Sequence, residues 1–193
     1  MALRFFKDAA LTSRISEGDF SNPDEDTFNG TTGESHDRQI FIANEHTVIK
    51  TALGYTDTTV YLAQPRFADG EIIIIGSEQV TIVSGGGTTT LQVIRSEVVG
   101  YAIGTTVCSG YAYSDIEMTV LDTTGTDETG WVKLALTQAG LTSATPGAKL
   151  LVGDKSPNQT LSFWRRVTVP AGSQVQLKRD LQLKATATVT PIG

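Results

Sequence analysis

Residues 180–189, DLQLKATATV, alternate between polar and apolar side chains along their whole length. Successive side chains of a β-strand point to opposite faces of a sheet, so this period of two predicts a half-buried strand. The predicted inward face carries Leu181, Leu183, Ala185, Ala187 and Val189. We therefore expect the C-terminal strand to cover a hydrophobic core.

The same alternation recurs outward from this strand, towards the N-terminus. Residues 160–169 place Trp164 and Arg166 on one face, opposite an apolar face. The predicted inward sets are Leu161, Phe163, Val167 and Val169; Val132, Leu134 and Leu136; and Ile116, Met118 and Val120, with an earlier strand at 39–43. Windows with the helical period of 3.6 residues are nearly absent. The pattern predicts an all-β protein built around an immunoglobulin-like β-sandwich.

The middle of the chain has a different pattern, which suggests an inserted module. Residues 71–76, EIIIIG, form a continuous apolar run, and residues 78–83 and 88–94 follow on either side of the glycine-rich turn 84–87. Glycine permits the positive φ angles of tight hairpin turns. We predict a sandwich domain of residues 1–54 plus 111–193 and an inserted β-meander or small barrel of residues 55–110. One continuous sandwich is the alternative.

Composition excludes several classes of function. The net charge is −6 and the basic residues are scattered, so we expect no nucleic-acid partner. The longest apolar run, residues 72–75, is far shorter than the roughly 20 residues that span a bilayer, and the N-terminal residues lack the apolar stretch of a signal peptide. Cys108 is the only cysteine, which excludes an intrachain disulfide. We expect a soluble protein without membrane contact.

Three stretches resemble structural proteins of tailed-phage particles. Residues 67–95, FADGEIIIIGSEQVTIVSGGGTTTLQVIR, are similar to a short β-module of phage tail and virion proteins. The matching positions are Gly70, Glu71, Ile73, Ile75, Gly76, Glu78, Thr90, Leu91, Val93 and Arg95. Residues 162–189, which begin SFWRRVTVPAG, resemble the closing strands of phage virion β-sandwiches, and residues 5–15, FFKDAALTSRI, resemble their first strand. The resemblance implies a virion component, assembled in the host cytoplasm, whose partners are other virion proteins and copies of itself.

Candidate catalytic groups lack the partners that chemistry requires. His36 and His46 match no metal-ligand spacing and are interpreted as surface groups. The acidic residues 24–26 lack the ligand order of an EF-hand and are interpreted as a solvated loop. Cys108 has no basic neighbour in sequence and is interpreted as a small buried hydrophobic residue. Residues 85–87 precede a strand, so they indicate a hairpin turn and not a phosphate site. We predict no enzyme, no metal, no cofactor and no small-molecule ligand.

The predicted function is assembly in the tail, baseplate, collar or capsid decoration of a phage. Trp164, Arg165 and Arg166 are the candidate interface residues, because a tryptophan beside two arginines has the composition of an interface anchor. Packing of Trp164 within its own chain is the alternative for that residue. The alternative function is a receptor- or glycan-binding module, in which Trp131, Trp164, Tyr55, Tyr61, Tyr101, Tyr111 and Tyr113 would form a stacking platform. A hydrolase of cell-wall polymers would need paired carboxylates, which no spacing suggests.

Overall fold

The computed structural model describes residues 3–17, 19, 21–174 and 179–192. Within them the chain forms antiparallel β-strands and two short 3-10 helices, Thr129–Trp131 and Ala139–Thr142, so the predicted all-β fold is confirmed. The strands are β1 (Leu3–Phe6), β2 (Glu34–Asn44), β3 (His46–Val48), β4 (Thr59–Tyr61), β5 (Ile72–Ile75), β6 (Glu78–Ser84), β7 (Thr90–Arg95), β8 (Thr106–Ser109), β9 (Tyr111–Asp122), β10 (Val132–Ala135), β11 (Leu150–Lys155), β12 (Leu161–Val169) and β13 (Leu181–Pro191).

Two sheets form the sandwich. One has the strand order β1-β2-β12-β10 and the other the order β11-β9-β13. Their facing side chains make one core, which contains Ile40, Ile42, Tyr113, Ile116, Met118, Val120, Val132, Leu134 and Phe163. Alternation along each strand points these side chains inward, as the sequence pattern predicts.

The third sheet is six-stranded, in the order β3-β8-β5-β6-β7-β4, and it has a core of its own. The two end strands, β3 and β4, come together at their C-terminal ends. Ile49, just after β3, pairs with Leu62, just after β4, and the Ala63 N–H donates to the Val48 carbonyl oxygen over 2.9 Å. The sheet therefore curls back on itself around the apolar residues Ile49, Leu53, Val60, Leu62, Phe67, Ile73, Ile75, Val80, Ile82, Leu91, Val93 and Val107. The turn between β6 and β7 uses Gly85 and Gly87 at φ +87° and +77°, as the hairpin interpretation of these glycines requires.

The six-stranded sheet lies between β2 and β9 in the chain. Glu45 alone separates β2 from β3, and Gly110 alone separates β8 from β9. The sheet ends where the predicted module ends, but it begins at His46, before the predicted boundary at residue 55. Ile49 and Leu53, assigned by that boundary to the sandwich, pack in the core of the six-stranded sheet. The division of the chain into two domains stays a prediction.

Three residues that were predicted to face inward do not lie in the core of the sandwich. Leu136 is 52% exposed because β10 ends at Ala135. Val189 is 37% exposed and lies near the end of β13, beyond the point where its pairing with β9 shifts register. Val169, at the end of β12, does not join the core of the sandwich.

Candidate functional site

A cluster of buried polar side chains lies where the chain crosses between the sandwich and the six-stranded sheet. Asn44, the last residue of β2, is 1% exposed. Its Nδ2 donates to the carbonyl oxygens of Ser109 and Tyr111, each over 2.8 Å. The Ser109 N–H in turn donates to the Glu45 carbonyl oxygen over 3.0 Å. The two crossing points, Glu45 and Gly110, are thus joined by the side chain of Asn44.

Lys155 reaches the same cluster from β11. Gly153, at φ +108°, interrupts the alternation of this strand, so that Lys155 and not Asp154 points into the sandwich. Lys155 is 2% exposed, and its Nζ donates to Asn44 Oδ1 over 2.5 Å. It also donates to the carbonyl oxygens of Ser156 and Pro157, over 3.0 and 3.1 Å. Three acceptors therefore surround a buried ammonium group.

Cys108 lies beside this lysine. Burial raises the pKa of its thiol to about 11, and the charge of Lys155 opposes this rise. Burial likewise lowers the pKa of Lys155 to about 8. The Cys108 thiol donates to Asn158 Oδ1 over 2.8 Å, and Asn158 Nδ2 donates to the Gly76 carbonyl oxygen over 3.1 Å. The prediction that Cys108 is buried is confirmed. Its basic neighbour, Lys155, is 47 positions away in the chain and was not predicted.

A second polar cluster, on the sandwich, involves Arg165 and the acidic stretch 24–26. Arg165 Nε donates to Asp24 over 2.6 Å and its Nη2 to Asp26 over 2.7 Å, while Arg38 pairs with the same two carboxylates. Burial opposes ionisation of Asp24, but the hydrogen bonds and charges of Arg165 and Arg38 outweigh it and lower the pKa of this carboxyl. The solvated-loop interpretation of residues 24–26 is therefore wrong for Asp24 and Asp26.

The three predicted interface residues have different surroundings. Arg165 is 4% exposed, and its guanidinium group forms ion pairs with Asp24 and Asp26. Arg166 pairs with Asp37 over 2.6 Å at the surface, and Trp164 is half-buried opposite Gln39 of β2 and Ala135 of β10. The three side chains do not form one exposed patch.

The two histidines lie apart and each packs on an aromatic ring. His36 lies 4.6 Å from Phe28 between ring centroids and contacts Glu34 over 3.0 Å, whereas His46 lies 5.3 Å from Phe6. In the described part of the chain, no group of three or more His, Cys, Asp or Glu side chains is arranged to hold a metal ion.

The aromatic side chains proposed as a glycan platform are distributed over both halves of the molecule. Tyr111 and Tyr113 pack in the core of the sandwich, and Tyr101 packs against the core of the six-stranded sheet. Two of the shallow depressions on the described surface have no aromatic side chain in their lining.

Two surfaces of the described chain offer contacts to other molecules. The first is the free edge of β13, which ends its sheet and pairs along its length with β9. The second is a set of exposed apolar side chains on the six-stranded sheet and its loops: Tyr55, Tyr61, Val83, Ile94, Val98, Val99 and Ile103.

Comparisons of the chain with protein-family models, curated proteins and solved structures find no match. The described residues also contain no helix with the length and apolar character needed to span a lipid bilayer. Function must therefore be argued from the surfaces and clusters themselves.

Proposed function

We propose that this chain is a structural subunit of a tailed-phage particle, which assembles with copies of itself and with other virion proteins. The observation that carries the proposal is the free edge of β13. This strand has eleven residues and a single charged side chain, Lys184, and no other described strand covers its outer edge.

A long open edge is a ready site for assembly. Its unpaired N–H and C=O groups accept a strand from another chain, which extends the sheet by main-chain hydrogen bonds. Proteins that stay monomeric usually protect such edges with charges, prolines, bulges or short strands. On β13 these devices are Lys184 in mid-strand, Pro191 at its end and the irregular pairing with β9 between Thr186 and Thr188, so residues 181–186 form a regular edge with one charge. The edge therefore suits a permanent neighbour.

The stretches that resemble phage proteins coincide with strands of this fold. Residues 67–95 contain the β5-β6-β7 meander, and residues 162–189 contain most of β12 and most of β13. Residues 175–178 of the second stretch lie outside the described residues. Exposed apolar side chains of the six-stranded sheet offer further contacts to neighbouring subunits.

The test is incorporation into particles. The parent chain and two variants are produced in cells that make the virions, and purified particles are assayed for the chain by mass spectrometry. Thr186→Lys with Thr188→Lys adds charge to exposed positions of β13, whereas Thr168→Lys changes an exposed residue of β12, which β2 flanks. We expect the parent and Thr168→Lys to be incorporated and the β13 variant to be excluded, although all three melt alike.

The two parts of the proposal fail separately. Absence of the parent chain from purified particles would contradict the virion role. Equal incorporation of the parent and the β13 variant would contradict the assignment of this edge as the contact.

A further inference from the structure

The amine of Lys155 and the amide of Asn44 meet inside the sandwich, far apart in sequence. Nζ lies 2.5 Å from Oδ1. Because a C=O bond is about 1.2 Å long, Nζ lies no more than about 3.7 Å from Cγ, the electrophilic carbon of the amide. Reacting atoms held about 3–3.5 Å apart are in position for attack. The pair therefore has close to the separation of a nucleophile and its target.

Both groups are held in place by backbone carbonyl oxygens. Asn44 Nδ2 donates to those of Ser109 and Tyr111, which orients the amide with its oxygen towards Lys155. Nζ donates to two further carbonyl oxygens immediately after it in the chain. Neither side chain is free to rotate away, and fixed geometry of this kind gives effective concentrations of about 10⁵–10⁸ M in model reactions.

Burial favours a neutral, nucleophilic amine, whereas the three acceptor oxygens around Nζ favour the ammonium form. Among the described residues no carboxylate forms an ion pair with Lys155, and burial is the main cause of its pKa shift. Burial lowers that pKa to about 8, so a part of the population carries a free amine near neutral pH. A buried lysine without a counter-ion is costly to keep charged, and a reaction that removes the charge removes that cost.

We propose that Lys155 and Asn44 form an intramolecular isopeptide bond, an amide between Nζ and Cγ, with release of ammonia. The lone pair of Nζ attacks Cγ, and the bond from Cγ to Nδ2 breaks. A proton passes from Nζ to Nδ2, which leaves as ammonia. The step is a transfer of an acyl group between two nitrogens, so it requires neither oxidant nor reductant.

The bond would tie the two sheets of the sandwich together. Asn44 ends β2 in the four-stranded sheet, and Lys155 ends β11 in the three-stranded sheet. The cross-link lies beside both crossing points to the six-stranded sheet, since Asn44 also contacts Ser109 and Tyr111. It would hold the junction closed under mechanical load. This inference does not depend on the proposed virion role.

The test is the mass of the purified full chain against that of Lys155→Gln, whose new side chain has nearly the same mass as lysine. We expect the parent to be lighter by one ammonia molecule. Trypsin cleaves after unmodified Lys and Arg, so the parent should yield a branched product that joins residues 39–50 to residues 150–165. Lys149→Gln, which removes an exposed lysine before β11, should retain the lower mass. Because this variant lacks the cleavage site after residue 149, its branched product should join residues 39–50 to residues 134–165.

The peptide map separates this bond from other losses of ammonia. The Asn29–Gly30 sequence can lose ammonia by forming a cyclic imide, which leaves the tryptic peptides linear. Equal masses for the parent and Lys155→Gln, both in fresh protein and after prolonged incubation near the pKa of Lys155, would overturn the proposal. So would a lower parent mass with linear peptides 39–50 and 150–155 in full yield.

Discussion

Arg165 and Arg166 are neighbours in sequence but have different electrostatic roles. Arg165 is buried, and both carboxylates that it binds, Asp24 and Asp26, are mostly shielded from solvent. Arg166 lies at the surface, where its hydrogen bond to Asp37 raises its pKa. The first arginine therefore stabilises its own chain, whereas the second remains accessible.

Replacement of each arginine by alanine distinguishes these roles. Arg165→Ala leaves Asp24 and Asp26 with Arg38 as their one arginine partner among the described residues, and we expect a loss of about 3–5 kcal/mol in the free energy of unfolding. Arg166→Ala breaks an accessible pair and should cost no more than about 1 kcal/mol. Urea denaturation of both variants gives the two values. Equal losses would contradict the assignment of Arg165 to a stabilising cluster.

At the scale of the element, β13 combines a buried face with an open edge. Leu181, Leu183, Ala185 and Ala187 pack against the core of the sandwich, as the alternation predicts. Beyond the register shift near Thr188 the pattern ends, and Val189 is exposed. The strand is therefore integral to the sandwich up to that shift.

Two adjacent substitutions test the faces of β13. Leu183→Asp places a carboxylate on the buried face and should cost at least about 2 kcal/mol, from lost apolar burial and from desolvation of the charge. Lys184→Asp changes the exposed face and should alter stability by about 0.5 kcal/mol or less. Thermal melting of the two variants measures both effects. A stable Leu183→Asp protein would mean that the inward assignment is wrong.

At the scale of the molecule, the chain has two separate apolar cores that meet at a polar junction. One core lies between the two sheets of the sandwich and the other inside the curled six-stranded sheet. The polar junction lies at the two points where the chain crosses between the halves, and it consists of Asn44, Glu45, Lys155 and Asn158. Because polar contacts join the halves, we expect the two cores to open separately.

Hydrogen exchange tests this expectation. Ile73→Ala removes a fully buried side chain from the core of the six-stranded sheet and should cost about 2–5 kcal/mol locally. We expect faster exchange in β5, β6, β7 and β8, and unchanged exchange in β9 and β12. Equal acceleration in both halves would show a single cooperative unit and would favour the alternative of one continuous domain.

The strands and most of their inward faces were predictable from the sequence, because the period of two is a local property of each segment. The alternation of residues 180–189 and of residues 116–120 shows directly which side chains face a core. The places where prediction fails are local departures from that period. Leu136 lies beyond a strand end, and Val189 lies beyond a register shift, and neither leaves a mark in residue type.

The polar clusters could not be found from the sequence, because their members come together only when strands distant in the chain become neighbours. Lys155 and Asn44 are separated by 111 positions, and Arg165 and Asp24 by 141. The sequence by itself determined an all-β chain with apolar inward faces, a glycine turn and a single cysteine. The pairing of β2 with β12 and the bulge at Gly153 decided which charges are buried, and so which side chains can react or bind. Burial and pairing of charges depend on long-range packing, which local periodicity does not encode.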